Sequence, residues 1–371
     1  MELLGKSLDE LQVYCQVLDE PAFRGRQIYH ALYAERKVDL AAMSNLPAAL
    51  RKRLSSEAQV TLPTVRQRYP SADGSVRYLL GLPAPEDQPR LKAASVEAVF
   101  MPSDGRQTIC ISTQAGCAVD CQFCLTAKLG LLRNLTPGEI VAQVLLPLVE
   151  MERAGDDAPV NTGDDAGLAA RTNVVLMGQG EPLLNFDNVF AALRILLDKD
   201  GVDLSPKHVT LSTSGIVPGI ERMAQEEVRP KLAISLNASN DEQRDALMPI
   251  NRKYPLKDLI SACRNYPLRN WEHLTFEYVM LGGVNDAPED ARRVVKLLAP
   301  LKRVKVNLIP WNPGELPYKE TTDEYLEGFR KILTDRGVAA FVRYSRGRDV
   351  MAACGQLALK EVTNSPLKVI A

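Results

Sequence analysis

The stretch GCAVDCQFC, residues 116–124, places Cys117, Cys121 and Cys124 in the spacing C-x3-C-x2-C. It follows an apolar run that is typical of a β-strand. Three thiolates on one loop do not close a structural zinc site, which takes four protein ligands, and no His or other Cys stands close by to complete it. They do suit a four-iron, four-sulfur cluster, since three cysteines leave one iron open to an exogenous ligand. A structural zinc and chance clustering are the alternatives.

The composition is that of a globular protein. With 371 residues the chain has room for about two or three domains. Its 46% hydrophobic and 25% charged residues exclude collagen, extended disorder and a coiled coil. The 45 Lys and Arg balance 46 Asp and Glu, so any RNA site must be a local basic patch. The start, MELLGKSLDE, is too charged for a signal peptide, and we expect a cytoplasmic protein with no membrane partner.

The other cysteines and the histidines limit the kinds of disulfide and metal site that the chain can form. Seven cysteines are an odd number with three crowded together, which does not fit a disulfide scaffold. His30, His208 and His273 stand at no metal-ligand spacing, so a His-based metal site is excluded. Cys15 and Cys263 match no motif, and we expect both to pack in the core.

The chain divides into four segments by pattern. Residues 1–58 show short helices, and residues 59–104 form a β-rich lead-in. Residues 105–350 alternate β-type and helical runs, which predicts an α/β fold with a parallel sheet. Within them, residues 152–172 are acidic and rich in Gly and Ala, as expected of a solvated insertion. Residues 351–371 form a C-terminal segment.

The parallel sheet locates the site. Its predicted strands are residues 107–113, 173–178, 208–213, 231–237, 273–281, 305–311 and 340–345, and the predicted helices include residues 137–153, 289–301 and 322–337. Polar or Gly-rich tails follow four of the strands, at residues 178–181, 212–215, 235–237 and 311–314. Because ligands bind at the carboxyl ends of parallel strands, we expect the active site there.

Further motifs resemble one enzyme family. They are FRGRQIY (23–29), VEAVFMP (96–102), LMGQGEPLLN (176–185), VTLSTSGIVPGI (209–220), LAISLNASNDEQRDALMPINRKYP (232–255), VMLGGVND (279–286), NLIPWNP (307–313) and AACGQL (352–357). With the cysteine loop they are similar to the RlmN/Cfr methyltransferases of the radical S-adenosylmethionine superfamily. The resemblance implies a partial (β/α)6-type barrel, preceded by a small helical RNA-binding accessory domain and the β lead-in.

The resemblance also implies a reaction. The motif GEPLLN resembles that of the RlmN type. Enzymes of this type methylate adenine C2 at two places, in the peptidyl-transferase region of 23S rRNA and at the adenosine 3' of the anticodon in tRNA. The alternative is a Cfr-type C8 methylase, which usually carries GEALAN at this point. From another class, the alternative is a noncatalytic RNA-binding protein with a Cys-rich metal knot.

The implied chemistry uses two S-adenosylmethionine molecules and a carrier cysteine. One cofactor molecule methylates the thiolate of Cys354, and the second is cleaved to an adenosyl radical that takes a hydrogen from this methyl group. The methylene radical then adds to adenine. In the family pattern Glu97 accepts the ring proton. Cys110 then releases the RNA from the sulfur of Cys354 by forming a transient disulfide with Cys354.

The residues that match the family's S-adenosylmethionine site are Gly180, Glu181, Ser212, Ser235, Leu236, Asn237 and Asn312. The Gly-rich turn at Gly180 lets backbone approach the ligand, and the Glu181 carboxylate can accept from its ammonium group. SLNA departs at Asn237 from the family's usual SLHA, so hydrogen bonding is retained and a titratable ring is lost. Phe123 is a candidate to pack on the cofactor adenine.

The implied partners are 23S rRNA, tRNA and an external, flavodoxin-like electron donor, and we expect a monomer. The basic clusters available for phosphates are Arg51 to Arg53, Arg66 with Arg68, Lys302 to Lys305, and Arg343 with Arg346 and Arg348. The last cluster lies shortly before Cys354. A target adenine in structured RNA has to be splayed into the pocket.

Overall fold

The computed structural model describes residues 1–84, 91–103, 105–154 and 171–359. Its N-terminal part is helical, with α1 (Leu8–Val17), α2 (Phe23–Tyr33) and α3 (Ala48–Glu57). A capping box starts α1, since the Ser7 hydroxyl accepts from the Glu10 amide and the Glu10 carboxylate accepts from the Ser7 amide. The short helices expected here are present.

The β lead-in is antiparallel. It consists of β1 (Thr64–Pro70), β2 (Val76–Leu82) and β3 (Ala94–Ser103), and β3 pairs with β4 (Arg106–Cys110). Gly74 in the turn between β1 and β2 has a φ of +81°, a conformation that glycine adopts without strain. The lead-in strands therefore continue directly into the strand that precedes the cysteine loop.

From β4 onward the sheet is parallel. Its further strands are β7 (Thr172–Leu176), β8 (Val209–Thr213), β9 (Lys231–Ser235), β10 (Leu274–Met280), β11 (Val304–Pro310) and β12 (Ala339–Val342). Ten of the described strands form one sheet, in the order β1-β2-β3-β4-β7-β8-β9-β10-β11-β12. A separate hairpin pairs β5 (Gln114–Gly116) with β6 (Leu131–Asn134). All seven strands predicted for the parallel sheet are confirmed, with shifted ends.

Helices connect these strands. They are α4 (Pro137–Ala154), α5 (Phe186–Leu197), α6 (Val217–Met223), α7 (Asp241–Leu247), α8 (Leu256–Asn265), α9 (Pro288–Leu298) and α10 (Asp323–Thr334). The six crossovers between successive parallel strands make the open (β/α)6 architecture that the motifs imply. The predicted insertion at residues 152–172 falls mostly outside the described residues. Within the described residues, no helix is long and apolar enough to cross a membrane.

Two hydrophobic cores matter for the site. The main core lies between the sheet and its helices and includes Cys15 and Cys263, which pack there as expected. The second core lies on the lead-in sheet, where Tyr69, Leu79 and Val99 pack against Val350, Ala352 and Leu357. The segment around Cys354 is therefore held on the β lead-in by buried apolar surface.

Candidate active site

The cysteine loop lies between β5 and β6, at the carboxyl edge of the parallel sheet. Gly116 enters it with a φ of +78°, and a side chain there would meet the Gly130 carbonyl oxygen at 1.8 Å. The Cys117 amide donates to that carbonyl at 2.9 Å, and the Gln122 amide donates to the Leu247 carbonyl at 2.9 Å. The loop is thus fixed on both sides before any ligand binds.

The three loop thiols line one cavity of about 980 Å³, a volume that includes its open mouth. Burial raises the pKa of Cys117 to about 12 and raises that of Cys121 well above its ordinary value. Two neutral thiols in a desolvated pocket need a bound cation to ionise, which a metal cluster provides.

The spread of these thiols bears on the kind of metal group. Among the described residues, no three His, Cys, Asp or Glu side chains converge closely enough to share a single metal ion. The thiolates of a four-iron cluster bind different irons and so stand farther apart than the ligands of one zinc ion.

Gly180 and Glu181 also line this cavity. The φ of Gly180 is +102°, and a Cβ there would stand 2.7 Å from the Gln114 amide nitrogen. The Glu181 carboxylate accepts from the Leu183 amide at 3.1 Å and from the amide and hydroxyl of Ser214, both at 2.7 Å. The Thr213 side chain is a further hydrogen-bond partner of this carboxylate.

Ser212, Ser235 and Asn237 complete the polar wall. The two serine hydroxyls lie 3.4 Å apart across the ends of β8 and β9. Asn237 has a φ of 54°, its side-chain oxygen accepts from the Val279 amide at 2.8 Å, and its side-chain nitrogen lies 3.3 Å from the Met248 sulfur. The amide of Asn237 thus supports the loop and also borders the cavity.

Two residues expected at the cofactor lie elsewhere. Leu236 is fully buried in the main core and does not line the cavity. The Asn312 side chain donates to the Ser345 hydroxyl at 2.9 Å and to the Cys354 carbonyl at 3.4 Å. In this structure Asn312 holds the segment that carries Cys354.

Cys354 lies where two cavities meet. It lines the cavity of the cysteine loop and a second cavity of about 900 Å³, again with an open mouth. The neighbouring Gly355 carbonyl accepts from the Leu125 amide at 2.7 Å, and the Leu357 carbonyl accepts from the Thr126 hydroxyl at 2.7 Å. The cysteine loop therefore holds the Cys354 segment directly.

The Cys354 residue is exposed by its accessible surface at the cavity wall, while the protein atoms packed around its sulfur still disfavour the thiolate and raise the pKa of the thiol to about 11. The charge of Glu277 adds to the rise, and a hydrogen bond from Ser345 opposes it. Cys110, at the end of β4, lines the second cavity with Cys354. Burial is the main cause that raises the pKa of Cys110 to about 12, and the charge of Cys354 contributes. The structure thus brings together the two thiols predicted to react with each other.

Glu97 faces protein partners. It lies on β3 with no exposed surface, and its carboxylate pairs with the equally buried Arg77 of β2. The other carboxylate oxygen accepts from the Leu359 amide at 3.0 Å. Burial raises the pKa of Glu97, and the charge of Arg77 opposes the rise. Neither cavity is lined by Glu97, so the proton acceptor predicted from the motif is covered in this state.

Sequence reasoning missed three polar residues of the site, of which Arg244 is fully buried and Glu277 and Ser345 are half-buried. Glu277 borders the first cavity, and its carboxylate accepts from the side-chain amide of Asn307 at 2.9 Å. The Arg244 guanidinium donates to the carbonyls of Ser214, Ser235 and Leu236, which ties the ends of β8 and β9 together. Ser345 is the third. A charged residue inside the apolar run TFEYV was the available signal for Glu277, while nothing local marked Ser345.

An open (β/α)6 sheet with a three-cysteine loop at its carboxyl edge defines a radical S-adenosylmethionine enzyme. Residues 156–298 match the model of the radical SAM superfamily. Residues 1–60 match that of the ribosomal RNA large subunit methyltransferase N-terminal domain. A crystal structure of a radical SAM methyltransferase from Sphaerobacter thermophilus superposes with a TM-score of 0.86 at 40% identity, over 97% of this chain and 100% of that one.

Curated relatives agree along nearly the whole chain. One from Koribacter versatilis, named as a probable dual-specificity RNA methyltransferase RlmN, is 48% identical over 93% of this chain and 98% of its own. The dual-specificity RNA methyltransferase RlmN of Anaeromyxobacter dehalogenans is 45% identical over 94% of this chain and 89% of its own. The chain belongs to the RlmN family of dual-specificity RNA methyltransferases. Like other radical SAM enzymes, it uses a four-iron, four-sulfur cluster and S-adenosylmethionine.

Proposed function

We propose that this protein methylates carbon 2 of an adenosine in the peptidyl-transferase region of 23S rRNA and of the adenosine 3' of the anticodon in tRNA. The dual-specificity name of its relatives and the motif GEPLLN support the two RNAs and the C2 position. The single observation that carries the proposal is that Cys354 borders both cavities.

The position of Cys354 suits a carrier. Carbon 2 of adenine is electron-poor and does not attack a sulfonium methyl group, so the carbon has to be delivered in another form. A thiol between two cavities can receive a methyl group on one side and present it on the other. Its thiolate is the nucleophile, so ionisation of Cys354 precedes its methylation.

When bound, the cluster and S-adenosylmethionine supply a methyl group and an adenosyl radical. Cys117, Cys121 and Cys124 hold the cluster. Gly180 lets the backbone approach the cofactor, and Glu181 accepts from its ammonium group. The hydroxyls of Ser212 and Ser235 and the amide of Asn237 bind its polar groups from neighbouring strand ends. Phe123 lines the same cavity and offers an apolar face to its adenine.

The remaining steps release the product. Glu97 accepts the ring proton after the Leu359 amide leaves its carboxylate. The unpaired electron of the adduct would return to the cluster. The Cys110 thiolate then attacks the sulfur of Cys354 and forms a disulfide between the two cysteines, while the transferred carbon keeps the electron pair of the broken sulfur–carbon bond and takes up a proton to become the methyl group. Two electrons from an external reductant restore both thiols, and we assign this to a flavodoxin-like donor. All of these groups lie in one chain, so a monomer is sufficient for the reaction. We assign the protein to the cytoplasm.

The test is mass spectrometry of nucleosides from 23S rRNA and tRNA after reaction with anaerobically reconstituted protein, reductant and S-adenosylmethionine. The proposal requires 2-methyladenosine with the native chain and none with Cys354→Ala at equal iron content. Cys263→Ala, a buried cysteine outside both cavities, is the matched control and should retain product. A product of 8-methyladenosine would overturn the position of transfer. Bound zinc without iron, and RNA binding without methylation, would favour the noncatalytic alternative.

A further inference from the structure

The second cavity has no assigned occupant, and its rim is distinctive. Cys354 and Cys110 lie in its wall, and the residues following β12, from Arg343 to Arg346, also line it. The first cavity holds the cysteine loop and the residues suited to the cofactor. The second cavity, which shares Cys354 and Gly355 with the first, is therefore the space left for a substrate that collects a carbon from Cys354.

Tyr344 is exposed although it lines this cavity. Its side chain is 61% exposed, more than that of most large apolar side chains on the surface. Three residues earlier, in the edge strand β12, Phe341 is 46% exposed, and the Arg343 guanidinium lies 5.6 Å from its ring centre. Exposed aromatic rings beside an arginine are the side chains with which proteins stack on bases and hold phosphates.

The arginines nearby differ in what they are free to bind. Arg346 contacts Asp73 and the Pro102 carbonyl, and Arg348 pairs with Glu320 at 2.8 Å. Among the described residues no carboxylate forms a salt bridge with Arg343. Its guanidinium donates at 3.4 Å to the side-chain oxygen of Asn307, and its charge also acts on the half-buried carboxylate of Glu277. Of the predicted basic cluster, Arg343 is therefore the member whose charge is available to a phosphate.

The segment that presents Tyr344 is fixed at both ends. The Arg343 amide donates to the Leu308 carbonyl at 2.8 Å, and the Gly347 amide donates to the Asp73 carboxylate at 2.9 Å. Tyr344 is thus held at the mouth by protein contacts that do not use its own ring. An aromatic side chain presented on a fixed segment loses little entropy on binding.

We propose that Tyr344 and Arg343 form the RNA-contacting lip of the second cavity, where Tyr344 stacks on a nucleobase of the substrate RNA and Arg343 binds an adjacent phosphate. The inference rests on the proposed function, since it takes RNA as the substrate. It assigns to these two side chains the task of holding a base splayed at the cavity that contains Cys110 and Cys354.

The probe is a tRNA anticodon stem–loop with 2-aminopurine in place of the adenosine 3' of the anticodon. Fluorescence anisotropy measures the affinity of the protein for this probe. The intensity of the 2-aminopurine emission reports whether the base leaves its stack in the RNA and stacks again on the protein. The variants are Tyr344→Ala, Tyr344→Phe and Arg343→Gln. The matched controls are Tyr325→Ala, another exposed tyrosine, and Arg330→Gln, an exposed arginine, both on α10.

We expect Tyr344→Ala to weaken binding about fivefold or more, which is the lower end of measured base–aromatic stacking. Tyr344→Phe should keep the native affinity and emission, because it keeps the ring. Arg343→Gln should lower the slope of log Kd against log salt by about one phosphate contact. Each control should bind like the native chain.

Equal affinities for Tyr344→Ala and Tyr325→Ala would overturn the inference, and so would an unchanged emission signal in Tyr344→Ala. Methylation of Cys354 by S-adenosylmethionine without RNA, followed by mass spectrometry, separates the two proposals. Tyr344→Ala should retain this step in full. A native chain that binds the probe through Tyr344 but methylates no RNA would contradict the proposed function and leave the RNA-contacting lip supported.

Discussion

Cys110 and Cys354 face the same cavity, although one ends β4 and the other lies in the C-terminal segment. Negative charge on Cys354 raises the pKa of Cys110, which places the two thiols within electrostatic reach. The Cys354 segment is fixed to the cysteine loop through Leu125 and Thr126. Carrier, resolving thiol and cluster loop are therefore parts of one connected structure.

Replacing Cys110 should stop the reaction after carbon transfer. With Cys110→Ala no thiol is available to attack the sulfur of Cys354, so the RNA should remain covalently bound to the protein. We expect an RNA–protein adduct on a denaturing gel, sensitive to nuclease, and product reduced by orders of magnitude. Cys15→Ala is the control, since that buried cysteine packs in the main core. Free 2-methyladenosine at the native rate from Cys110→Ala would contradict its role.

The ionisation of Cys354 should respond to its two polar neighbours in opposite directions. Removal of a negative charge in Glu277→Gln should lower the pKa from about 11, whereas loss of the hydrogen bond in Ser345→Ala should raise it further. The thiolate reacts, so at pH 9 alkylation should be faster than native in Glu277→Gln and slower in Ser345→Ala.

The measurement is the pH dependence of iodoacetamide alkylation at the Cys354 peptide, followed by mass spectrometry in cluster-free protein. In the native chain the rate should still rise above pH 9, because a pKa of about 11 lies above the ordinary range of a thiol. A plateau near pH 8.5, unchanged in both variants, would contradict the description of this pocket.

The buried pair of Arg77 and Glu97 should make the lead-in sensitive to single substitutions. Arg77→Met leaves Glu97 buried without its charge partner, and such changes cost about 3–5 kcal/mol. The double variant Arg77→Met with Glu97→Gln should recover much of that loss. Urea unfolding provides the free energies, and Arg330→Met, which breaks an exposed pair with Glu327, should cost about 1 kcal/mol or less. Equal losses in Arg77→Met and Arg330→Met would contradict this interpretation.

The sequence predicted strands better than short helices. Each parallel strand is an apolar run that any reader of the pattern can find, whereas α6 and α7 span only seven residues each and carry less than two full periods of helical pattern. Long apolar faces, as in α4 and α10, were predicted because they repeat over three or more turns.

At the site, local motifs predicted the residue types, and distant contacts decided their positions. Ser235 ends β9 and lines the cavity, Leu236 after it enters the core, and Asn237 lines the cavity from a left-handed backbone conformation with a φ of 54°. The motif SLNA predicted the polar residues, and the turn after β9 decided which of them face the cavity. The contacts of Asn312 with Ser345 and Cys354 were not available from the sequence, because they join segments that only the folded chain brings together.

The turn at Gly180 should tolerate no side chain. Its φ of +102° disfavours any L-residue, and a Cβ would stand 2.6 Å from the Gln114 Cβ and 2.7 Å from the Gln114 amide nitrogen. Gly180→Ala must therefore displace the turn that carries Glu181 or move β5 at the entry to the cysteine loop. We expect calorimetry to show S-adenosylmethionine binding weakened at least about tenfold, which corresponds to about 1.4 kcal/mol.

Gly328→Ala is the matched control for this prediction. Gly328 lies within α10 and has open space where a Cβ would be, so alanine there should leave binding unchanged and favour the helix slightly. Circular dichroism of both variants checks that the fold is retained. If Gly180→Ala bound S-adenosylmethionine with native affinity, the cofactor would not use the turn formed by residues 178–181. The assignment of Glu181 to the cofactor's ammonium group would then be wrong as well.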